Sequence, residues 1–223
     1  VLGYLGRLGR RGSASAPEIF HGAYLDWLRT QTGPPPGPMG DGLRGIPGLY
    51  ARRAPGNTCL SALASGQVGT IAVPINESKG CGGVMRVGPI GLVGLADAFA
   101  VSADAAAVTH GHPSGYLSAG FLGELLAALL AGASLPDGLD AATTRLVLEP
   151  GQEETLDAVQ AARSISRTHR PSPELLEILG GAWVGEEALA IAIACALTAD
   201  DPVDGVLMAV NHSGDSDSTG AIA

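Results

Sequence analysis

The sequence predicts an all-α, compact multi-helix domain, and three observations carry that prediction. Apolar residues recur at spacings of three and four along most of the chain, with almost no sustained alternation. The 223 residues are 46% hydrophobic and only 16% charged, a balance that permits a packed core and opposes disorder. The 33 glycines and 15 prolines follow no Gly-X-Y period, which excludes collagen. A chain of this length buries about 70% of its unfolded surface, so a single domain over residues 1–223 suffices.

The elements follow in order. The opening VLGYLGRLGRRG places apolar residues before late arginines, the reverse of a secretory signal. Pro17 and Glu18 after Ser15 start a helix with Ile19, Tyr24, Leu25 and Leu28 on one face. Residues 33–48, GPPPGPMGDGLRGIPG, cannot hold regular structure and read as a long functional loop. Residues 58–64 form a short helix ended by Gly66, and 70–73 are the one candidate strand. Helices are expected over 102–109, 116–131, 141–148, 154–166, 173–179, 185–198 and 202–210. Two stretches, 125–130 and 188–196, are apolar all round, which marks central helices. The chain opens without Met, and its closing STGAIA stops where a helix would begin. The expectation is therefore a domain truncated at the N-terminus and at the C-terminus.

Charge and cysteine usage narrow the partners. Thirteen Lys and Arg against 22 Asp and Glu give a net charge of −9. The basic cluster of residues 7–11 with Arg29 is too thin for a nucleic-acid surface. Cys59, Cys81 and Cys195 form no CxxC pair, so neither a disulfide framework nor structural zinc is expected, and a reducing cytoplasm fits. The longest uncharged run, from Ala54 up to Glu77, contains Pro55, Gly56, Asn57, Gln67 and Pro74 and makes a poor membrane span. No heptad seam is visible, and a monomer is expected.

Three motifs carry chemistry. In Asn211-His212-Ser213-Gly214-Asp215-Ser216-Asp217-Ser218-Thr219, the oxygens of Asp215, Asp217 and Ser218 crowd a turn that opens a helix. Two carboxylates this close suit a hard divalent cation, Mg²⁺ or Mn²⁺, while the competing reading is helix N-capping. In Asn76-Glu77-Ser78-Lys79-Gly80-Cys81-Gly82-Gly83-Val84-Met85-Arg86, dense glycine allows backbone amides to approach a phosphate, or simply makes a tight turn between helices. In Thr109-His110-Gly111-His112-Pro113, a histidine hydrogen-bonding a ligand competes with one favoured at a helix C-terminus. Zinc there lacks a third ligand at a suitable spacing, and a Cys81–His110 nucleophile–base pair has no feature that fixes its geometry.

Together these segments resemble the ADP-ribosylglycohydrolase family, which includes the glycohydrolase that reactivates dinitrogenase reductase. Five stretches match in order: RRAPGNTCLSAL (52–63), NESKGCGGVMRVGPIGL (76–92), THGHP (109–113), GAWVGEEALAIAIACAL (181–197) and AVNHSGDSDSTGAIA (209–223). The resemblance implies an all-α orthogonal bundle with a cleft for two Mg²⁺ ions, Mn²⁺ being the alternative. It also implies hydrolysis of the glycosidic bond between ADP-ribose and a protein side chain or small acceptor. By position, Asp215, Asp217 and Ser218 match the family's Asp-x-Asp-Thr metal triplet, with serine keeping the hydroxyl, and the two aspartates are the catalytic pair. Ser78, Gly80, Cys81 and Gly82 match the loop around the phosphates and ribose, Cys81 standing where asparagine is common. His110 matches a histidine lining the ADP-ribose site. The family's N-terminal Thr-Asp-Asp triplet is not in this sequence, and Asp41 in GDGLRG has different surroundings. Half a dinuclear site is therefore expected. An inactive fragment, or a non-catalytic relative of the lens-crystallin or ADP-ribose-binding kind, is the alternative.

Overall fold

The computed structural model describes residues 1–34, 42–167 and 170–223. Residues 35–41 of the proline-rich loop of residues 33–48, Asp41 included, lie outside the described residues. Among those described there are twelve α-helices and no strand. They are α1 (Leu2–Arg11), α2 (Ala16–Thr32), α3 (Asn57–Ala64), α4 (Gly88–Gly91), α5 (Ala98–Ala107) and α6 (Pro113–Leu130), followed by α7 (Leu135–Leu146), α8 (Glu153–Ile165), α9 (Pro173–Leu176), α10 (Gly185–Thr198), α11 (Pro202–Ala209) and α12 (Ser216–Ile222). The opening segment, unassigned in the sequence, is helical as α1 and turns its arginines Arg10 and Arg11 to the C-terminal end, where the helix dipole favours them.

Caps set the boundaries that periodicity misplaces. α5 begins four residues earlier than expected because the Asp97 carboxylate accepts from the Ala100 amide at 2.9 Å. α6 begins at Pro113 because the His112 Nδ1 accepts from the Ser114 amide. α7 begins at Leu135 because Ser134 caps Asp137, so Pro136 and Gly138 lie in its first turns and not in a linker. The expected strand at 70–73 is a tight turn: the Thr70 amide donates to the Val73 carbonyl, and the Val73 amide to the Thr70 hydroxyl. Part of the expected irregular loop forms short 3₁₀ turns at Gly42–Gly45 and Pro47–Leu49.

The core forms where small residues let helices touch. α6 packs along α5, α7 and α10, and α10 packs along α8. A Cβ on Gly120 would lie 2.8 Å from the Phe99 ring, and one on Gly123 would lie 2.1 Å from the Ser102 hydroxyl; glycine is thus required for α6 to reach α5. This reverses one expectation. The buried half of α6 is its Gly-, Ser- and Ala-rich beginning, whereas the leucine-rich end emerges, with Leu130 55% exposed. α10 is buried from Ala188 to Cys195, as its uniform apolarity predicts. α6 is also long and apolar enough to cross a membrane by composition, but 61% of it is buried inside the fold, as befits a core helix.

Candidate functional site

The glycine loop is built from the residues beneath it. Asn76 holds two segments together: its amide nitrogen donates to the Thr109 carbonyl at 2.9 Å, and its amide oxygen accepts from the Ser78 and Gly111 amides. A Cβ on Gly111 would lie 2.0 Å from the Asn76 carbonyl oxygen, so the approach of the two segments depends on glycine there. Within the loop, Gly83 lies against the Gly115 carbonyl, with 2.6 Å left for a Cβ, and packing alone explains it. At Gly80 and Gly82 a Cβ would meet its neighbours at 3.4 Å or more, an ordinary contact, so packing does not dictate glycine. Among the described residues the Gly82 amide has no acceptor, whereas those of Gly80, Cys81, Gly83, Val84 and Met85 all have one. The Ser78 hydroxyl is shared with Thr58 and the Gly80 amide.

A second segment, residues 180–185, joins this loop to the C-terminal turn. The Cys81 amide donates to the Trp183 carbonyl and the Gly185 amide to the Lys79 carbonyl, an isolated antiparallel bridge. The Asp215 amide donates to the Gly181 carbonyl at 2.9 Å. Between those two carbonyls Ala182 is fully buried with φ of 62°, a left-handed conformation that L-residues rarely take, and it turns one carbonyl to each partner. The Trp183 side chain is 66% exposed beside the loop.

The acidic turn thereby meets the glycine loop. The Cys81 Sγ donates to the Asp215 Oδ2 at 2.9 Å across 134 residues of sequence. The Ser218 hydroxyl lies 2.8 Å from the same carboxylate oxygen and 3.2 Å from the thiol. Asp215 occupies the N-cap position of α12 without capping it, so its carboxylate is free to face the loop. Asp217 lies beside it, and a hydrogen bond shared between the two carboxyls holds Asp217 above the usual carboxylate range. Burial, then the hydrogen bond to Asp215, pushes the Cys81 thiol up to about 12, so the thiol stays protonated and donates. Cys81 is thus engaged with Asp215 and Ser218 and makes no hydrogen bond to His110. No group of three or more His, Cys, Asp or Glu side chains converges as a metal site among the described residues.

His110 is 1% exposed and lies beneath the loop, its ring against Gly80, Gly82 and Gly83. Its Nδ1 is 2.8 Å from the Thr109 hydroxyl. Burial, then the nearby Arg86 charge, lowers its pKa to about 3, so the imidazole is neutral. Arg86 itself donates to the Ala105 and Ala106 carbonyls and the Thr109 hydroxyl, and stacks over Tyr24 at 4.3 Å. Asn76, Arg86 and Trp183 lie within stretches the sequence singles out, but it assigns none of them a role. Arg86 leaves a signal there, as a single charge within the apolar run GGVMRVGPI.

The ADP-ribosylglycohydrolase family model matches residues 4–223. The chain belongs to the ADP-ribosylglycohydrolase family. No curated protein and no solved structure matches it. The ADP-ribosylglycohydrolases are hydrolases of ADP-ribosylated substrates, and the twelve helices without a sheet among the described residues agree with that family's all-α fold. Every residue of the loop and turn described above lies inside the matched span.

One support of this site is testable by stability. Lys79 at the start of the loop donates to Glu154 of α8 at 2.8 Å and to Glu186 of α10 at 2.5 Å. Glu186 is buried, and its second oxygen has no partner among the described residues. Hydrogen bonds, to Glu154 first, raise Lys79, and the bond from Lys79 lowers Glu154. Lys79→Met strands Glu186 and is expected to cost about 1–3 kcal/mol, less than a fully buried pair because the Lys79 side chain is 34% exposed. The raised lysine contributes below its unfolded value of about 10.4 and the lowered glutamate above about 4.3. The cost is therefore full between those limits, and shrinks as pH falls through the Glu154 pKa or rises through that of Lys79. Urea melts of both proteins across pH measure it; equal midpoints at pH 7 would remove Lys79 as a support.

Proposed function

We propose that this protein hydrolyses the glycosidic bond between ADP-ribose and a protein side chain or small acceptor, in a Mg²⁺-dependent reaction. The observation that carries the reading is the contact of Cys81 with Asp215 and Ser218, which sets a phosphate-suited glycine loop against an acidic turn. Asp215, Asp217 and Ser218 are the residues that would hold the metal, Mg²⁺ or Mn²⁺. The donor set fits a hard cation: it is all oxygen, two carboxyls and a hydroxyl, with the Ser218 hydroxyl 2.8 Å from the Asp215 Oδ2. When bound, such ions polarise substrate hydroxyls and lower the pKa of water.

The chain's own residues do the rest. The unpaired Gly82 amide, with Ser78, Gly80 and Cys81 around it, binds the diphosphate and ribose oxygens, and the Asp215 and Asp217 carboxylates lie where positive charge builds on the anomeric carbon. Water adds to that carbon as the bond to the acceptor breaks, and the acceptor leaves with the proton that water gives up. Arginine, serine, a nucleic-acid end and a small metabolite are all chemically suitable acceptors.

The test is release of ADP-ribose from ADP-ribosyl-arginine and ADP-ribosyl-serine peptides with Mg²⁺, followed by chromatography. Binding is read separately from Trp183, whose exposed indole beside the loop is expected to change its fluorescence with added ADP-ribose; Trp183→Phe silences the signal and leaves that of Trp27. Binding without release would favour the non-catalytic, ADP-ribose-binding alternative, and neither binding nor release would end the reading.

A further inference from the structure

Beneath the glycine loop, a chain of hydrogen bonds runs from Arg86 through Thr109 to His110. The Arg86 Nη2 lies 2.8 Å from the Thr109 Oγ1, which lies 2.8 Å from the His110 Nδ1. A guanidinium only donates, so the threonine oxygen accepts from Arg86. The threonine hydrogen then needs an acceptor of its own, because Thr109 is fully buried and an unmade bond there is costly. The His110 Nδ1 is its one hydrogen-bond partner among the described residues besides Arg86. Nδ1 therefore accepts, and the ring proton of the neutral imidazole lies on Nε2.

Nε2 has no hydrogen-bond partner among the described residues. It faces the part of the loop where side chains are missing: a Cβ on Gly80 or Gly82 would lie 3.4–3.5 Å from it. Arg86 is in turn fixed by the Ala105 and Ala106 carbonyls at the C-terminal end of α5 and by the ring of Tyr24, where a cation suits the helix dipole.

We propose that Arg86 and Thr109 are positioning residues that lock His110 in the Nε2–H tautomer, so that it presents a fixed hydrogen-bond donor through the gap at Gly80 and Gly82 to an oxygen of the bound ligand. The lock stands on these distances alone; the ligand, the diphosphate or ribose of ADP-ribose, rests on the function proposed above. One consequence is that His110 offers no lone pair on that side. It acts neither as a general base nor as a metal ligand through Nε2, and its role is the same across the neutral pH range.

Long-range ¹H–¹⁵N correlation spectra of the ¹⁵N-labelled protein, with His110 placed by its backbone resonances, read the tautomer directly. The expected result is a protonated Nε2 and an unprotonated Nδ1 at pH 7, still neutral at pH 5, where an ordinary histidine is charged. Thr109→Val removes the hydroxyl at similar volume. It is expected to shift the ring toward Nδ1–H and to weaken ADP-ribose binding about tenfold, while Thr109→Ser restores both. A wild-type Nδ1–H tautomer, an imidazolium at pH 5, or an unchanged tautomer in Thr109→Val would each overturn the lock. Should Thr109→Val fail to fold, the wild-type and Thr109→Ser spectra still decide. An Nε2–H tautomer in a protein that binds no ADP-ribose supports the lock and counts against the ligand.

Discussion

Asparagine in place of Asp215 is expected to abolish Mg²⁺ binding and to lower turnover of an ADP-ribosyl substrate by about two to four orders of magnitude. The local structure survives the change, because the asparagine carbonyl accepts the Cys81 and Ser218 hydrogen bonds that the Asp215 Oδ2 accepts now. The backbone bond from residue 215 to the Gly181 carbonyl does not involve the side chain at all. What disappears is one negative charge at the meeting point of loop and turn, and hard divalent cations select anionic oxygen. Charge stabilisation of several kcal/mol, at about 1.36 kcal/mol per tenfold in rate, gives the stated range. Titration calorimetry with Mg²⁺, substrate turnover and a thermal melt separate the contributions. Full turnover in Asp215→Asn would remove Asp215 from the metal set.

Alanine in place of Gly214 is expected to do comparable damage while leaving every proposed ligand atom in the chain. Its Cβ would lie 2.3 Å from the Gly181 carbonyl oxygen and 2.8 Å from the carbonyl carbon, and neither backbone atom is free to yield. The 214–215 peptide must move, and with it the Asp215 amide that binds the same carbonyl. Overpacking of this kind costs about 1–3 kcal/mol of stability, and a displacement of about 1 Å in a catalytic group costs about a hundredfold in rate. Gly22→Ala is the control: nothing lies within 4 Å of its Cβ, so it is expected to leave turnover unchanged. Mg²⁺ affinity equal to wild type in Gly214→Ala would show that the position of Asp215 is unimportant.

Much of the helix inventory is legible in the sequence because burial of one face imposes a period on the residues that face inward. α10 runs from Gly185 to Thr198, as its pattern predicts. Boundaries are less legible, since they depend on single capping contacts. The Asp97 carboxylate and the His112 ring each decide where a helix starts, and neither contributes to the period. The burial of α6 misleads for a related reason. Apolarity points to its leucine-rich end, but proximity is governed by volume, and the glycines Gly120 and Gly123 are what allow α5 to approach.

The candidate site divides in the same way. Asp215, Asp217 and Ser218 are readable because they lie within four residues, as are the glycines at 80–83. Their juxtaposition is not, because no local pattern records that the 180–185 segment binds both. Asn76 and Thr109 look like ordinary polar loop residues until their partners, 33 residues and one residue away, are seen.

By itself, then, the sequence determined the all-α class, the family and the chemical character of two short motifs, because side-chain type and local spacing are enough for each. Only the tertiary structure decided that the Cys81 thiol meets Asp215, that Asp215 does not cap its helix, and that His110 lies buried under the loop with a neutral ring. Those are outcomes of packing between segments more than a hundred residues apart in the first case, and of burial and competition for hydrogen bonds in the others, none of which a linear sequence encodes locally.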